Sequence, residues 1–354
     1  MNNLSERFDA TLLSYKEILE QPTSWEKTIK NKDSYVKIGR DFFDDGINNK
    51  IILFSGCGSS LYLGEVAAAY YRRNFNSWAL GMASSEFLAN PDVLFHKPNQ
   101  TYFVAISRSG ETSETVMALK KAIDHGVKCL AVTCTPKSTL ATLGCPVLIT
   151  ESGSEESVVM TKSFSNMLLA ICLAMNKANE NDYDNLSKHA DAIIKKYTNQ
   201  IFDFLDKSTI NRFIFLGTSE RFGIAREASL KVKEMAICDS ESFETLEYRH
   251  GPISLVDDKT LVSCIVSPHF RQDELEVLED VKKYGGNTLI IHEIAHESDI
   301  SIVLPEKCTD IEKVLLSLPV LHLLAFFKAQ NKGINPDKPR HLSQFVKLPD
   351  NDKM

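Results

Sequence analysis

The sequence predicts an α/β protein built from two doubly wound parallel-sheet units, preceded by a helical segment and followed by an extended tail. Three observations carry this. Apolar runs of strand length recur, each followed by a loop and then by a helical stretch. The alternation stops in a polar, charged break from Lys177 to Leu186 and then restarts. The restart copies the opening arrangement of strand, glycine with hydroxyls, and helix.

Taken in order, the first ~45 residues have a charged helical pattern with Trp25, Phe42 and Phe43 as apolar anchors. Residues 51–54 form an apolar run that suits a buried strand, followed by Ser55-Gly-Cys-Gly-Ser-Ser60 and a helical stretch from Leu61 to Arg73. Residues 102–106 form the next strand, 107–113 a polar loop and 114–122 a helix, with further strands at 127–132 and 146–150. A helical stretch from Leu186 to Leu205 connects the halves. The second half offers strands at 213–216, 261–266 and 288–291, with a helix from Ile224 to Cys238. The run Val314 to Phe327 reads as a buried helix. The expected divisions are a helical segment at 1–45, units at 46–195 and 196–335, and a tail at 336–354.

Composition narrows the function. At ~100–200 residues per domain, 354 residues make about two domains. A net charge of −7 argues against a large non-specific nucleic-acid surface. It leaves room for an anionic substrate held by local dipoles. No run reaches the ~18–20 apolar residues of a membrane span, and the start of the chain lacks the apolar stretch of a signal peptide. The eight cysteines are scattered, without a CxxC pair, and read as reduced core residues of a cytoplasmic protein.

Three places could carry chemistry. The loop Ser107-Arg-Ser-Gly-Glu-Thr112 joins a buried strand to a helix, where N–H groups and a positive dipole end are offered. Ser107, Ser109 and Thr112 add hydroxyls and Gly110 a close backbone approach, which suits a phosphate monoester. The same residues also make a plain helix cap. A second hydroxyl loop at 55–60 tilts the reading toward phosphate, while neither loop is the glycine pattern of a dinucleotide site. Next, Glu227, Lys231 and Glu234 fall at i, i+4 and i+7 and share one helix face. That is either a solvated face with a salt bridge or a proton-transfer carboxylate, with His250 in Tyr248-Arg-His-Gly-Pro252 as its partner. Finally, His292-Glu-Ile-Ala-His296 has the zinc spacing, but it directly follows a strand. Extended structure would hold the two histidines about 13 Å apart, so no metal is expected.

Six motifs in order resemble the sugar isomerase (SIS) domain family over roughly residue 10 to the end. They are residues 55–60, 107–112, Val158-Val-Met-Thr-Lys-Ser-Phe164, Ala228-Ser-Leu-Lys-Val-Lys-Glu234, Arg249-His-Gly-Pro252 and Pro336-Asp-Lys-Pro-Arg-His-Leu342. The chain resembles the isomerase half of glucosamine-6-phosphate synthase and its stand-alone relatives, namely SIS-type deaminases, ketose/aldose isomerases and fructosamine-phosphate deglycases. The resemblance implies two SIS domains of three-layer, flavodoxin-like form in a homodimer. It implies phosphate contacts from Ser59, Ser60, Ser107, Arg108, Ser109 and Thr112, with Val158 and Glu227 lining the site. It further implies Glu234 as the C1/C2 base, Lys231 beside it, and His250 assisting ring opening in the neighbouring subunit's site. No cofactor is implied.

The sequence departs from the synthase in two respects. No glutaminase domain or N-terminal cysteine precedes the paired units, so glutamine-dependent synthesis is not expected of this chain alone. Gln344 stands where the synthase tail has its Schiff-base lysine, with Lys347 three residues on. The leading expectation is a deaminase converting an amino-hexose 6-phosphate to fructose 6-phosphate and ammonia. The alternatives are a deglycase or ketose/aldose isomerase and, in another class, a non-catalytic phosphosugar-binding regulator. A pure binder would not need the Glu234 and His250 pair.

Overall fold

The structure is a computed structural model, and it describes residues 7–46, 49–176 and 183–349. In chain order the elements are α1 (Leu13–Leu19), α2 (Gln21–Lys30), α3 (Lys32–Phe43), β1 (Ile51–Gly56), α4 (Ser59–Phe75), β2 (Trp78–Ala83), α5 (Ser84–Ala89), α6 (Pro91–Leu94), β3 (Thr101–Ile106), α7 (Ser113–Asp124), β4 (Lys128–Thr133) and β5 (Val147–Ile149). There follow α8 (Lys162–Ala174), α9 (Leu186–Lys207), β6 (Arg212–Gly217), α10 (Glu220–Lys231), a π-helical turn (Val232–Ala236), β7 (Asp239–Phe243), β8 (Thr260–Ile265), α11 (Arg271–Lys283), β9 (Asn287–His292), β10 (Ile300–Val303) and α12 (Asp310–Asn331).

The strands form two five-stranded sheets, parallel throughout, in the orders β2-β1-β3-β4-β5 and β7-β6-β8-β9-β10. The expected α/β class with two doubly wound sheets is therefore what the chain adopts. Central strands are buried along almost their whole length: every residue of β3 and of β8 is inside. Helices cover both faces of such a sheet, so its strands read as unbroken apolar runs. The strands the sequence does not announce are β2, β7 and β10. β2 and β10 lie at sheet edges, and so does β7. β7 reads Asp-Ser-Glu-Ser-Phe, too polar to be recognised as a strand. An edge strand is buried less and carries a weaker pattern.

The chain divides into two compact units. The first α/β unit holds the β1–β5 sheet and comprises the described residues among 24–155, 162–182 and 342–354. Its core packs Phe87, Phe95 and Phe103 against Leu119 and Leu140. The second holds the β6–β10 sheet and comprises those among 1–23, 156–161 and 183–341. Its core joins Leu216, Tyr248, Val262, Val277 and Ile290. These units cut across the expected divisions. The described part of the expected 1–45 segment carries α1–α3 but is shared between them at residue 23, and the division at 195/196 falls inside α9. Residues 342–349 of the tail group with the first unit. Most of the break read at 177–186 lies outside the described residues, as does the end of the tail after Pro349.

Trp25, Phe42 and Phe43 are buried anchors. α12 is buried along nearly all its length and starts at a capping box, in which Thr309 and Glu312 satisfy each other's backbone N–H. None of the eight cysteines is in a disulfide. Burial pushes the Cys129 and Cys134 thiols up to about 12. Among the described residues, no helix is long and apolar enough to cross a membrane.

Candidate functional site

In the first unit, β1 sits between β2 and β3, so the chain reverses its winding beside β1 and β3. A crevice opens beyond the carboxyl ends of the strands at such a switch point. Both hydroxyl loops lead away from it. After β1, the turn Gly56-Cys57-Gly58 enters α4 directly at Ser59 and Ser60, both buried. The turn is tight enough that a Cβ on Gly56 would lie 2.5 Å from the Ser60 carbonyl carbon.

After β3, the Ser107 N–H donates to the Val132 carbonyl (3.0 Å), fixing the loop to the end of β4. The Ser107 hydroxyl accepts from the Gly110 N–H (3.1 Å) and lies 3.2 Å from the Thr112 hydroxyl. Ser109 accepts from the Glu111 N–H (3.1 Å). Ser107 is buried, while Ser109 and Thr112 are half-buried at the loop surface. Thr112 is the N-cap of α7 without accepting a side-chain cap bond. Ser59 and Ser60 on one side, and Ser107, Ser109 and Thr112 on the other, thus rim neighbouring strand ends with hydroxyls. An oxyanion needs such donors.

Arg108 is oriented differently from its expected phosphate role. Its guanidinium donates to Glu155 (3.2 Å) and to the Gln344 carbonyl of the tail (3.0 Å). The tail also accepts the Ser113 N–H at the Val346 carbonyl (3.3 Å) and donates from the Leu348 N–H to the Ser113 hydroxyl (3.1 Å). It therefore lies along the start of α7. Lys347 turns its ammonium over the Phe345 ring, 5.5 Å from the centroid.

In the second unit, α10 begins after the turn Gly217-Thr218-Ser219, and Ser219 takes the same positive-φ conformation that Gly58 takes in the first unit. Glu227, Lys231 and Glu234 share a face, as their spacing predicts. The face is not a solvated one, which corrects the blander reading. Glu227 and Lys231 are fully buried, and Glu234 is 19% exposed in its side chain. The Lys231 ammonium pairs with Glu234 and lies 3.4 Å from Glu227.

The expected helix over 224–238 departs from α geometry at Val232, and Glu234 sits in the π turn that follows. Single π turns inside helices are frequent at functional positions, because the wider turn re-aims a side chain. Nothing in the pattern of apolar residues announces it. Beneath this cluster, sequence reasoning missed His322 of α12. It is fully buried, 3.3 Å from Gln21 through Nδ1, and burial together with Lys231 lowers its pKa to about 3. A neutral imidazole can back a buried ammonium without repelling it.

Other expected residues stand apart. His250 follows a 3-10 turn at Glu247–Arg249 and is exposed. Among the described residues no hydrogen bond joins its ring to Glu234. Val158 is half-buried in the loop 156–161, which the second unit holds through Glu17. That carboxylate accepts the Glu156 N–H (2.5 Å) and the Ser157 hydroxyl.

Extended structure does not hold His292 and His296 about 13 Å apart as expected, because β9 ends at His292 and the chain bends back. The two rings lie 5.2 Å apart, with Nδ1 of His292 3.3 Å from Nε2 of His296. Nδ1 of His292 also accepts the Ile294 N–H (3.1 Å). Among the described residues, no group of three or more His, Cys, Asp or Glu is arranged to hold a metal ion.

The hydroxyl crevice of the first unit coincides with a family match: residues 47–177 fit the profile described as SIS domain. Residues 47–177 are a SIS domain. Its strands are β1–β5, so both hydroxyl loops belong to it. Curated relatives include glutamine–fructose-6-phosphate aminotransferase (isomerizing) of Corynebacterium glutamicum, 29% identical, with 94% of this chain and 57% of the relative covered. The same enzyme of Fusobacterium nucleatum is 28% identical, with 94% and 58% covered. The chain thus spans somewhat over half the length of these relatives.

Among solved structures, glucosamine-6-phosphate deaminase of Thermotoga maritima superposes with a TM-score of 0.75 at 27% identity, covering 95% of this chain and 99% of that one. Tagatose-6-phosphate ketose/aldose isomerase of Escherichia coli superposes at 0.83 with 23% identity over 92% and 94%, a likeness of fold.

Proposed function

We propose that the chain is a phosphosugar-converting enzyme that takes glucosamine 6-phosphate, or a close amino-hexose 6-phosphate, to fructose 6-phosphate and ammonia. The observation that carries this is the carboxylate of Glu234, held on a π turn by a buried ammonium. A regulator that only binds has no use for such a base. The similarity to a deaminase over 95% of this chain and 99% of that one supports the choice of reaction.

In this reading, Ser59, Ser60, Ser107, Ser109 and Thr112 hold the phosphate, and Arg108 keeps the loop in register with the tail through Glu155 and Gln344. Ring opening gives the free aldehyde, assisted by the partner's His250 in a homodimer. Glu234 removes the proton from C2, leaving an enolamine whose electrons spread to the C1 oxygen. The same carboxylic acid returns the proton to C1. The resulting C2 imine adds water and expels ammonia, leaving the ketose. Lys231 is a positioning and charge-balancing neighbour of that base, and Glu227 in turn holds Lys231. Transfer of this kind contributes about 10²–10⁴-fold. No residue of the chain becomes covalently bound.

The test is a substrate panel in which ammonia and ketose phosphate are measured together from glucosamine 6-phosphate, galactosamine 6-phosphate, fructosamine phosphates and tagatose 6-phosphate. Equal yields of ammonia and fructose 6-phosphate from an amino sugar are expected. Interconversion of ketose and aldose phosphates without ammonia would replace deamination by simple isomerisation, which needs the same base.

A further inference from the structure

The second unit contains a cavity of about 110 Å³ at the carboxyl ends of β8 and β9, lined by none of the residues assigned above. Its polar wall is Arg221, Arg271, Lys313, Asp310, Glu293 and His292. Glu293 is shared between Arg271 and Lys313, and Asp310 takes Arg221. His292 is kept neutral, its pKa lowered to about 4 by burial and by Arg271. Three cations therefore face two carboxylates. The Arg271 Nε is buried and has no hydrogen-bond partner among the described residues.

Backbone dipoles add to this field. Arg221 is the second residue of α10, Arg271 the first of α11 and Asp310 the first of α12, so three helices begin at the cavity. Its room equals that of about three to four waters at ~30 Å³ each, which is the scale of one tetrahedral oxyanion. Its place is also informative. β8 and β9 are the counterparts of β3 and β4, and His292 closes its strand where Thr133 closes β4. The cavity thus lies one strand beyond the second unit's counterpart of the hydroxyl-bearing crevice, which is at β6 and β8.

We propose that this cavity is a second anion site, taking a phosphate ion or the phosphate group of a small phosphorylated metabolite. The phosphate oxygens accept from the Arg271 Nε. They also replace the Glu293 carboxylate as partners of Arg271 and Lys313, so Glu293 is the internal competitor that the ligand displaces. This site lies outside the reaction proposed above and does not depend on it.

The experiment follows the ring resonances of ¹³C-histidine-labelled full-length protein during titration with inorganic phosphate and, separately, fructose 6-phosphate, with chloride at matched ionic strength as the control. His292 and His296 are expected to shift saturably. Arg271→Met should weaken that response at least tenfold, and Glu293→Gln should strengthen it about tenfold, because charge-assisted bonds are gained or lost. Ser107→Ala with Thr112→Ala should leave it unchanged. A stronger response to the sugar phosphate assigns a phosphosugar as the source, and a stronger response to phosphate assigns the free ion. The proposal is overturned if neither ligand moves His292 or His296. It is equally overturned if Glu293→Gln leaves the affinity unchanged, a result that stands even should Arg271→Met not fold.

Discussion

The two sheets of this chain have the same strand order and enter their first helices through the same tight turn, yet the ends of their strands carry opposite chemistry. In the first unit, Gly56 leads to Ser59 and Ser60, and the loop after β3 presents Ser107, Ser109 and Thr112. In the second, Gly217 leads to Glu220 and Arg221, and a Cβ on Gly217 would lie 2.5 Å from the Arg221 carbonyl carbon, the same clearance as at Gly56. There the buried carboxylate of Glu274 accepts from the Thr218 hydroxyl (2.6 Å) and the Ser267 N–H (2.5 Å). A fixed internal anion thus engages the kind of donors that rim the strand ends of the first unit. The fold supplies a crevice twice, and a few side chains decide whether it stays open or is filled by the protein itself. The second unit also has a feature of its own, the π turn that carries Glu234.

The largest effect should come from removing the base. Glu234→Gln keeps the shape and should lower turnover by at least about 10²-fold while phosphosugar binding persists. Retention of a tenth of the activity would take Glu234 out of that role. Next, Ser107→Ala with Thr112→Ala should weaken phosphosugar binding by about 2–5 kcal/mol, at roughly 1.5–3 kcal/mol for each charge-assisted bond. The sugar without phosphate should bind equally poorly to both proteins. Equal losses for both ligands would mean that the first unit's loop does not hold phosphate.

The shared architecture can be tested separately from the differing chemistry. Gly56→Ala and Gly217→Ala should each destabilise the fold, by about 1–3 kcal/mol in a close-packed interior, measured by urea unfolding. A cost at one glycine and none at the other would break the equivalence of the two turns.

The acid response should be confined to the second unit. The folded pKa of His322 lies at about 3, below the unfolded value near ~6.5. In that window the unfolded chain binds more protons than the folded one. This contribution to stability is therefore complete above about pH 6.5 and is lost as pH falls toward 3, at up to ~1.4 kcal/mol per pH unit. His322→Gln should flatten the dependence of unfolding midpoint on pH. His125→Gln in the first unit should not, because that ring is half-exposed and its pKa is raised by Asp92.

The smallest effect is expected in the tail. Gln344 carries an amide, which is not nucleophilic, and Lys347 faces Phe345. Borohydride reduction with substrate present should therefore leave Lys347 without a sugar adduct in peptide mass spectra, and Lys347→Ala should keep most of its activity. An adduct there would restore a covalent imine route.

What the sequence determined by itself was whatever short-range pattern can encode. The unbroken apolar runs of β1, β3, β6, β8 and β9 mark strands buried on both faces, and the hydroxyl loops at 55–60 and 107–112 mark where two of them end. The spacing of Glu227, Lys231 and Glu234 puts them on one face in any helical geometry. Tertiary structure decided what depends on neighbours distant in sequence. The edge strands β2, β7 and β10 exist because a partner strand offers them hydrogen bonds. Glu227 and Lys231 are inside because α12 brings His322 beneath them, and local spacing is the same for a buried face and a solvated one. Arg108 is tied to Glu155 and the Gln344 carbonyl, 47 and 236 residues away, partners that no local pattern announces. His292 and His296 meet because the strand stops between them. The cation-lined cavity draws Arg221, Arg271, Lys313 and Glu293 from four segments, so no window of the sequence contains it.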